Sequence, residues 1–228
     1  MKVSAILPAF NEAKRINNVL QVVVQVPSVE EIIVIDDGST DGTLAAITPH
    51  PKIKTISLPQ NVGKTWAVVA GVKQAKNEHL LLLDADLCGL AVEHIENLIE
   101  SFQAKTKMAI LDYGSQEYVL RHVIKSFPAL SGVRLLTKEK FLQVPFHKTD
   151  RFELENRINR FFIKNNWQIK IVPGPTVYTP HKFVKYGIIR GTWLGFWALK
   201  EIFFSNGYFG ALPTYWEWRS LAKLSTKA

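Results

Sequence analysis

The chain has 228 residues, 47% of them apolar and 21% charged, with a formal net charge of +8. That length and balance suit one substantial α/β domain, or a domain with an appendage, and exclude a disordered or fibrous chain. A single cysteine, Cys88, excludes an internal disulfide framework and fits a reducing compartment. Met1-Lys2 leads straight into a strand-like run with no secretory cleavage pattern, so a cytoplasmic chain is expected.

Residues 2–7 (KVSAIL) read as a first strand closed by Pro8, and Pro8-Ala9-Phe10-Asn11-Glu12 as a turn that opens a helix. Ile16, Val19, Leu20 and Val23 give the i, i+3, i+4, i+7 stripe of an amphipathic helix, which Pro27 ends. Residues 31–35 (EIIVI) form a second buried strand. A loop dense in turn and cap formers follows, Asp36-Asp37-Gly38-Ser39-Thr40-Asp41-Gly42-Thr43. A short helix to about residue 48 precedes a weaker third strand at 53–58, suited to a sheet edge. Asn61-Val62-Gly63-Lys64 opens a helix to about residue 76. Leu80-Leu81-Leu82-Leu83 then reads as a strand buried on both faces, running directly into Asp84-Ala85-Asp86. This alternation predicts a doubly wound, mostly parallel α/β sheet flanked by helices.

Periodicity predicts a helix over 92–102 and a strand over 107–111, whereas 114–127 carries no clear pattern. Ser131-Gly132-Val133-Arg134-Leu135-Leu136 reads as a strand after a glycine turn, 152–165 as a helix, and 168–172 as a strand closed by Pro173-Gly174-Pro175. Composition changes near residue 180, dividing the chain into a domain over 1–180 and a tail over 181–228. The tail sets Lys182, Lys185, Arg190, Lys200, Arg219, Lys223 and Lys227 against Glu201 and Glu217, and it holds four of the six tryptophans. Residues 186–204 are apolar on nearly every side, but Arg190, Lys200 and Glu201 interrupt the roughly 20 uncharged residues that a membrane span needs. Those charges share one arc with Trp193 and Trp197, the layout of an amphipathic helix lying in a membrane interface. A helix packed on the main domain is the alternative. The basic tail suits an anionic surface, and with no base-stacking module visible, nucleic acid is not expected as a partner.

Asp84 and Asp86 are the chemical centre of the sequence. Carboxylates at the C-terminal end of a buried strand stand where open α/β sheets bind their ligands. Hard divalent cations take carboxylate oxygens and a diphosphate needs such a cation, so this strand end reads as a metal–diphosphate site. An isolated pair of that kind would be only a solvated loop. Asp36-Asp37 ends the second strand on the same edge, where a carboxylate can accept from a base N–H or a ribose hydroxyl. Ser39, Thr40 or Asp41 can cap the helix that follows. Gly63-Lys64-Thr65 imitates the end of a P-loop, but the glycine that motif requires at position 58 is Leu58. Lys64, near a helix N-terminus, stays a candidate for phosphate contact, with a plain surface lysine as the alternative. No G-x-G-x-x-G follows the first strand, which excludes the usual dinucleotide fingerprint. Glu153 and Glu155, two apart at a predicted helix start, diverge, so only one easily faces the site. Complementing the helix dipole is their structural alternative.

Pro8-Ala9-Phe10-Asn11-Glu12, the loop from Asp36 to Thr43, Asn61-Val62-Gly63-Lys64 and Asp84-Ala85-Asp86, in that order and spacing, resemble the family 2 glycosyltransferases of the GT-A fold. Ser131-Gly132-Val133-Arg134 followed by Phe152-Glu153-Leu154-Glu155 resembles the second half of the polyprenyl-phosphate sugar transferases, such as the dolichyl-phosphate mannosyl- and glucosyltransferases. The resemblance implies a UDP- or GDP-linked sugar donor, a Mg2+ or Mn2+ ion and inversion at the anomeric carbon. It implies a donor pocket of Pro8, Ala9, Asn11, Glu12, Ile35, Asp37, Lys64, Asp84 and Ala85. Asp86 would ligate the metal, joined by His181. His181, Lys182 and Lys185 would close over the phosphates. Lys182 stands where the family often has arginine, and offers a point charge in place of a bidentate contact. Catalytic roles would fall to Asp86, Arg134 near the diphosphate or acceptor phosphate, and Glu155 or Glu153 as proton acceptor. A hydroxyl acceptor needs such a base, and a phosphate acceptor does not.

The acceptor so implied is a polyprenyl phosphate or other lipid-linked molecule met by peripheral contact with the cytoplasmic face of a membrane. A soluble sugar or phosphoglycerate is the alternative, and a catalytically degenerate membrane-associated binding module is the non-enzymatic one. Sugar nucleotidyltransferases use a related sheet with a glycine-rich, arginine-containing loop after the first strand, which residues 8–12 lack. Phosphohydrolases place their D-x-D after the first strand, and here it follows the fourth.

Overall fold

Hydrophobic alternation along the strands decides how the layers assemble. In the computed structural model, which describes residues 1–112 and 131–180, the elements run β1 (Val3–Ala9), α1 (Ile16–Val23), β2 (Val29–Asp36), α2 (Thr43–Ala46), β3 (Ile53–Ser57), α3 (Lys64–Gln74) and β4 (His79–Leu82). They continue with α4 (Val92–Glu100), β5 (Thr106–Asp112), β6 (Arg134–Thr137), α5 (Lys138–Leu142), α6 (Leu154–Lys164) and β7 (Gln168–Pro173). Val3, Ala5, Leu7 and Ala9 of β1 pack with Ile16, Val19, Leu20 and Val23 of α1 and with Ile95 and Leu98 of α4. Ile6, with Ile33 and Ile35 of β2 and Leu80 and Leu82 of β4, packs in a second cluster with Ala67, Val68 and Val72 of α3 and Leu154, Ile158 and Phe162 of α6. The sheet is therefore covered on both faces, as its near-continuous apolar strands require.

The strands hydrogen-bond in the order β3-β2-β1-β4-β6-β5-β7. All pairs are parallel except β4–β6 and β5–β6, so β6 is the one reversed strand in an otherwise parallel sheet. β3 lies at the edge, as its weaker apolar pattern suggests. Two local readings change. Pro8 does not close β1, which runs on to Ala9 opposite Asp36. The N–H that Pro8 lacks would face β4, and the β1–β4 ladder already stops at Ile6 and Leu82. The short helix α5, which no periodicity announces, buries Phe141 and starts at Thr137, whose side chain accepts from the Lys140 N–H.

Period-two alternation carries past the apolar runs. Ile33 and Ile35 put Asp37 on the α3/α6 side of the sheet, and Leu80 and Leu82 put Asp84 there as well. Leu136 sets the same side for Arg134 on β6. The expectations for 114–127, for His181, Lys182 and Lys185, and for an amphipathic helix over 186–204 fall outside the described residues. Among the described residues no helix is long and apolar enough to cross a membrane.

Helix α3 packs closely on β1 and β2 at Gly71, where a Cβ would lie 2.5 Å from Ile35 Cδ1 and 2.9 Å from Ile6 Cγ2. Helix propensity alone favours Ala over Gly by about 1 kcal/mol, while overpacking a filled core costs about 1–3 kcal/mol. Overpacking is expected to win. Gly71→Ala should lower the urea-unfolding midpoint, with a net loss on the order of 1 kcal/mol.

Candidate active site

The C-terminal ends of β1 and β2 are laced together by their loops. The Asp37 N–H donates to the Ala9 carbonyl at 2.8 Å. Asn11 adopts a positive φ of 58°. Its N–H donates to Ser39 Oγ at 2.9 Å, and its side-chain oxygen accepts from the Thr40 N–H at 2.9 Å. The Glu12 N–H donates to Thr43 Oγ1 and the Ala13 N–H to Asp41 Oδ2. Asn11 thus holds the loop after β2 in place. Burial alone would raise the pKa of Asp41, but hydrogen bonds from Thr43 and Ala13 outweigh it and hold the carboxyl below its ordinary value.

Asp37 is 3% exposed. Its Oδ1 accepts from the Val62 N–H at 2.7 Å and its Oδ2 from the Gly63 N–H at 2.9 Å. Burial pushes its pKa up, and the two amide donors offset that only in part. The Asn61–Lys64 turn is pinned from its other side by Arg151. The Thr65 N–H donates to the Arg151 carbonyl at 3.0 Å, and Arg151 Nη2 donates to Asn61 Oδ1 at 2.5 Å. Gly63 has a φ of 94°, and a Cβ there would lie 2.8 Å from the Arg151 carbonyl oxygen.

From this turn Lys64 reaches across the strand ends. Its Nζ lies 2.5 Å from Asp84 Oδ1, beyond β4, and 2.6 Å from Glu155 Oε1, in the first turn of α6. Burial pulls the ammonium pKa down, but the charges of Asp84 and Glu155 outweigh it and hold Lys64 well above its ordinary value. On another side of Asp84 the chain passes so closely that a Cβ on Gly132 would lie 2.1 Å from Asp84 Oδ2. Asp86 is half-buried one step further along. Two residues on, Cys88 pairs with Tyr178 through reciprocal backbone bonds of 2.8 and 3.0 Å. The segment leading to His181 is thereby anchored beside the Asp86 loop.

Of the residues singled out from sequence, Asp37, Lys64, Asp84, Asp86 and Glu155 gather along this edge. Glu153 diverges from Glu155, as the spacing requires: its Oε2 lies 3.4 Å from Arg157 Nε, and Arg157 also pairs with the buried Asp150 at 2.9 Å. Ile35, Ala9 and Ala85 are buried in the core clusters, which leaves their backbone to face any ligand. Pro8 is half-buried. Glu12 is 6% exposed, with Oε2 at 3.6 Å from Arg15 Nη1. The resemblance implies a place for Arg134 near the diphosphate or acceptor phosphate. It is wholly buried, its Nε donating to the Ser131 carbonyl at 2.7 Å and its Nη1 to Asn159 Oδ1 of α6 at 2.5 Å. Arg134 therefore fastens β6 to α6. Arg151 was not singled out, while Asn61 and Gly132 entered only as members of their motifs, with no role of their own.

Two outcomes follow. Gly63→Ala introduces both a strained φ and a backbone clash, and should destabilise the fold by about 1–3 kcal/mol in urea unfolding. Asp41 has a lowered folded pKa, so its carboxylate adds stability above its unfolded value of about 3.9 and loses it as pH falls. The stability difference between the wild type and Asp41→Asn should accordingly be present at neutral pH and shrink below about pH 4 in pH-dependent unfolding.

Residues 4–172 match the family model described as Glycosyl transferase family 2. The chain is 36% identical over 160 residues to dolichyl-phosphate beta-glucosyltransferase ALG5C of Trichomonas vaginalis, covering 62% of this chain and 44% of that one. It is 32% identical over 118 residues to a prophage bactoprenol glucosyl transferase homolog of Escherichia coli, covering 48% and 38% of the two chains. It thus spans less than half the length of these curated relatives. In fold it is similar to glucosyl-3-phosphoglycerate synthase from Mycobacterium tuberculosis, crystallised with Mn2+, UDP-glucose and phosphoglyceric acid. That likeness has a TM-score of 0.63 at 19% identity, over 78% of this chain and 71% of that one. With a family model matched from β1 into β7 and the motifs meeting along one sheet edge, the chain belongs to glycosyltransferase family 2.

Proposed function

We propose that this chain transfers a sugar from a nucleotide-diphosphate sugar to an acceptor oxygen, with inversion, at the C-terminal edge of its sheet. The observation that carries this reading is the meeting of Asp84, Lys64 and Glu155 beside Asp37, at strand ends contributed by a family 2 chain. UDP-glucose is the first donor to test, being the nucleotide sugar named with the mycobacterial synthase.

The donor set suits Mg2+ or Mn2+ in one mode. Among the described residues no group of three or more His, Cys, Asp and Glu side chains converges on a point. Such ions commonly take one or two carboxylates and complete their shell with water and substrate phosphate oxygens. Asp86 would be the protein ligand, with His181 as the second. The ion, when bound, would neutralise the charge that builds on the departing diphosphate.

The protein groups do the positioning. Asp37 holds the turn from which Lys64 projects, and Lys64 draws Glu155 to the end of β4. Glu155 is the proton acceptor for a hydroxyl acceptor, while Glu153, turned toward Arg157, is not placed for that task. Arg134 supports the site from beneath, through α6.

A phosphorylated acceptor is the chemistry shared by the dolichyl-phosphate relative and the phosphoglyceric acid complex. The fold likeness supports a soluble acceptor of the phosphoglycerate type. The sequence relatives support a lipid-linked one, for which the basic, tryptophan-rich tail would supply peripheral membrane contact.

The test is a transfer assay with UDP-glucose and GDP-mannose, with and without Mn2+, against 3-phosphoglycerate and against polyprenyl phosphate in vesicles. Transfer to one acceptor is expected, with Asp86→Asn lowering turnover at least about 100-fold. Absence of transfer to both acceptors, together with no UDP-sugar binding by calorimetry, would sink the reading.

A further inference from the structure

The turn that starts α3 is held by two groups of opposite charge. On one side the Asp37 carboxylate accepts from the Val62 and Gly63 N–H groups. On the other, Arg151 grips the same turn at both ends. Its carbonyl accepts from the Thr65 N–H at 3.0 Å, an amide that the first turn of α3 leaves without a partner inside the helix. Its Nη2 donates to two oxygens of Asn61, the carbonyl at 3.2 Å and Oδ1 at 2.5 Å. Between these contacts Gly63 passes so closely that a Cβ would lie 2.8 Å from the Arg151 Cβ and carbonyl oxygen.

Arg151 is itself fastened toward α6. Asp150, 1% exposed, accepts from the His147 N–H at 2.8 Å and from Arg157 Nη2 of α6 at 2.9 Å. Leu154, which opens α6, packs in one cluster with Ala67 and Val68 of α3. Residues 61–65 and 150–155 are thus joined, with Asp37 held at one end and Glu155 carried at the other. The charge of Arg151 reaches Asp37 as well. Burial raises the Asp37 pKa and Asp36 of β2 adds to this, while the two amides and then the guanidinium act against it. Lys64 of α3 is engaged with Asp84 and Glu155.

We propose that Arg151 is a positioning residue for the nucleotide, holding the 61–65 turn to the loop before α6 and so presenting Asp37 to the donor's base or ribose. This deepens the proposed sugar transfer and rests on it. The donor pocket then depends on a residue from the half of the chain that supplies Glu155. A nucleotide seated against Asp37 fixes the same body from which Glu155 projects.

The experiment is a calorimetric titration of the full chain with UDP or GDP, whichever the wild type binds, from about pH 8 to about pH 5. The matching nucleoside is measured by competition. Arg151→Met should weaken nucleotide and nucleoside alike, by about three- to tenfold near neutral pH. The loss should grow as pH falls, because Asp37 without the guanidinium takes up its proton at a higher pH. Arg151→Lys keeps the charge but not the planar fork, so it should follow the wild-type pH profile and recover only part of the affinity. A merely structural arginine would lower the unfolding midpoint and leave the pH profile in place, which overturns the proposal. A loss confined to the nucleotide, with nucleoside binding unchanged, would mark Arg151 as a phosphate contact and overturn it too. If Arg151→Met does not fold, Asn61→Ala decides: a several-fold loss of nucleotide affinity upholds the proposal, and wild-type affinity overturns it. The expected shifts in a chain that transfers no sugar would uphold the role of Arg151 and remove the transferase reading instead. Binding of neither nucleotide by the wild type overturns the proposal.

Discussion

A carboxylate at the end of a buried strand is costly unless a cation or several donors meet it. The organisation of this sheet edge follows from that requirement. Asp37 is met by two backbone N–H groups, which forces the 61–64 turn to fold back over β2. Asp84 is met by Lys64, and Lys64 can reach it only because the same turn starts α3 at that point. Arg151 and Glu155 then secure the turn from the α6 side. Each partner of one acidic group thereby becomes part of the scaffold for the next.

The opposite end of the sheet shows what the same chemistry does when it is purely structural. Glu31, 4% exposed, accepts from Ser4 Oγ and from the Lys76 N–H, each at 2.6 Å, and pairs with Lys54 at 2.9 Å. Burial raises its pKa, and these donors outweigh that and hold it below its ordinary value. The donors come from β1, β3 and the end of α3, so the network knits strands and helix together. It lies at the N-terminal end of β1, the edge where open α/β sheets do not bind ligands. Location on the sheet, more than residue type, separates this network from the candidate site.

Much of this was legible from pattern. The buried strands, their order of appearance and the helix stripe Ile16-Val19-Leu20-Val23 follow from periodicity alone, and the stripe is fully buried. The motif residues also fall along one edge, because strand ends in a parallel sheet align. What the pattern did not carry was direction. Parity places Asp84 on the face of α3 and α6, but only the packing of α6 shows that Glu155 shares Lys64 with it there. The same holds for Arg134, which the family resemblance set near the diphosphate or acceptor phosphate: parity with Leu136 puts it on the α3/α6 side, where it donates to Asn159. The reversal of β6 and the short α5 depend on long-range pairing and on a cap that leave no periodic trace in the sequence.

The charge of the edge bears on why a family 2 chain would need a metal here. Lys64 offsets one of the two carboxylates it touches, so the trio with Asp84 and Glu155 keeps a negative surplus. An anionic diphosphate would meet repulsion at such an edge. On the proposed reading, a divalent cation would reverse that sign locally, while Lys64 stays with Asp84 and Glu155. The basic residues that could add to it, His181 and Lys182, follow directly on Pro180, and the chain is anchored beside Asp86 by the Cys88–Tyr178 bridge. Donor binding on this view depends on charges supplied from outside the strand ends.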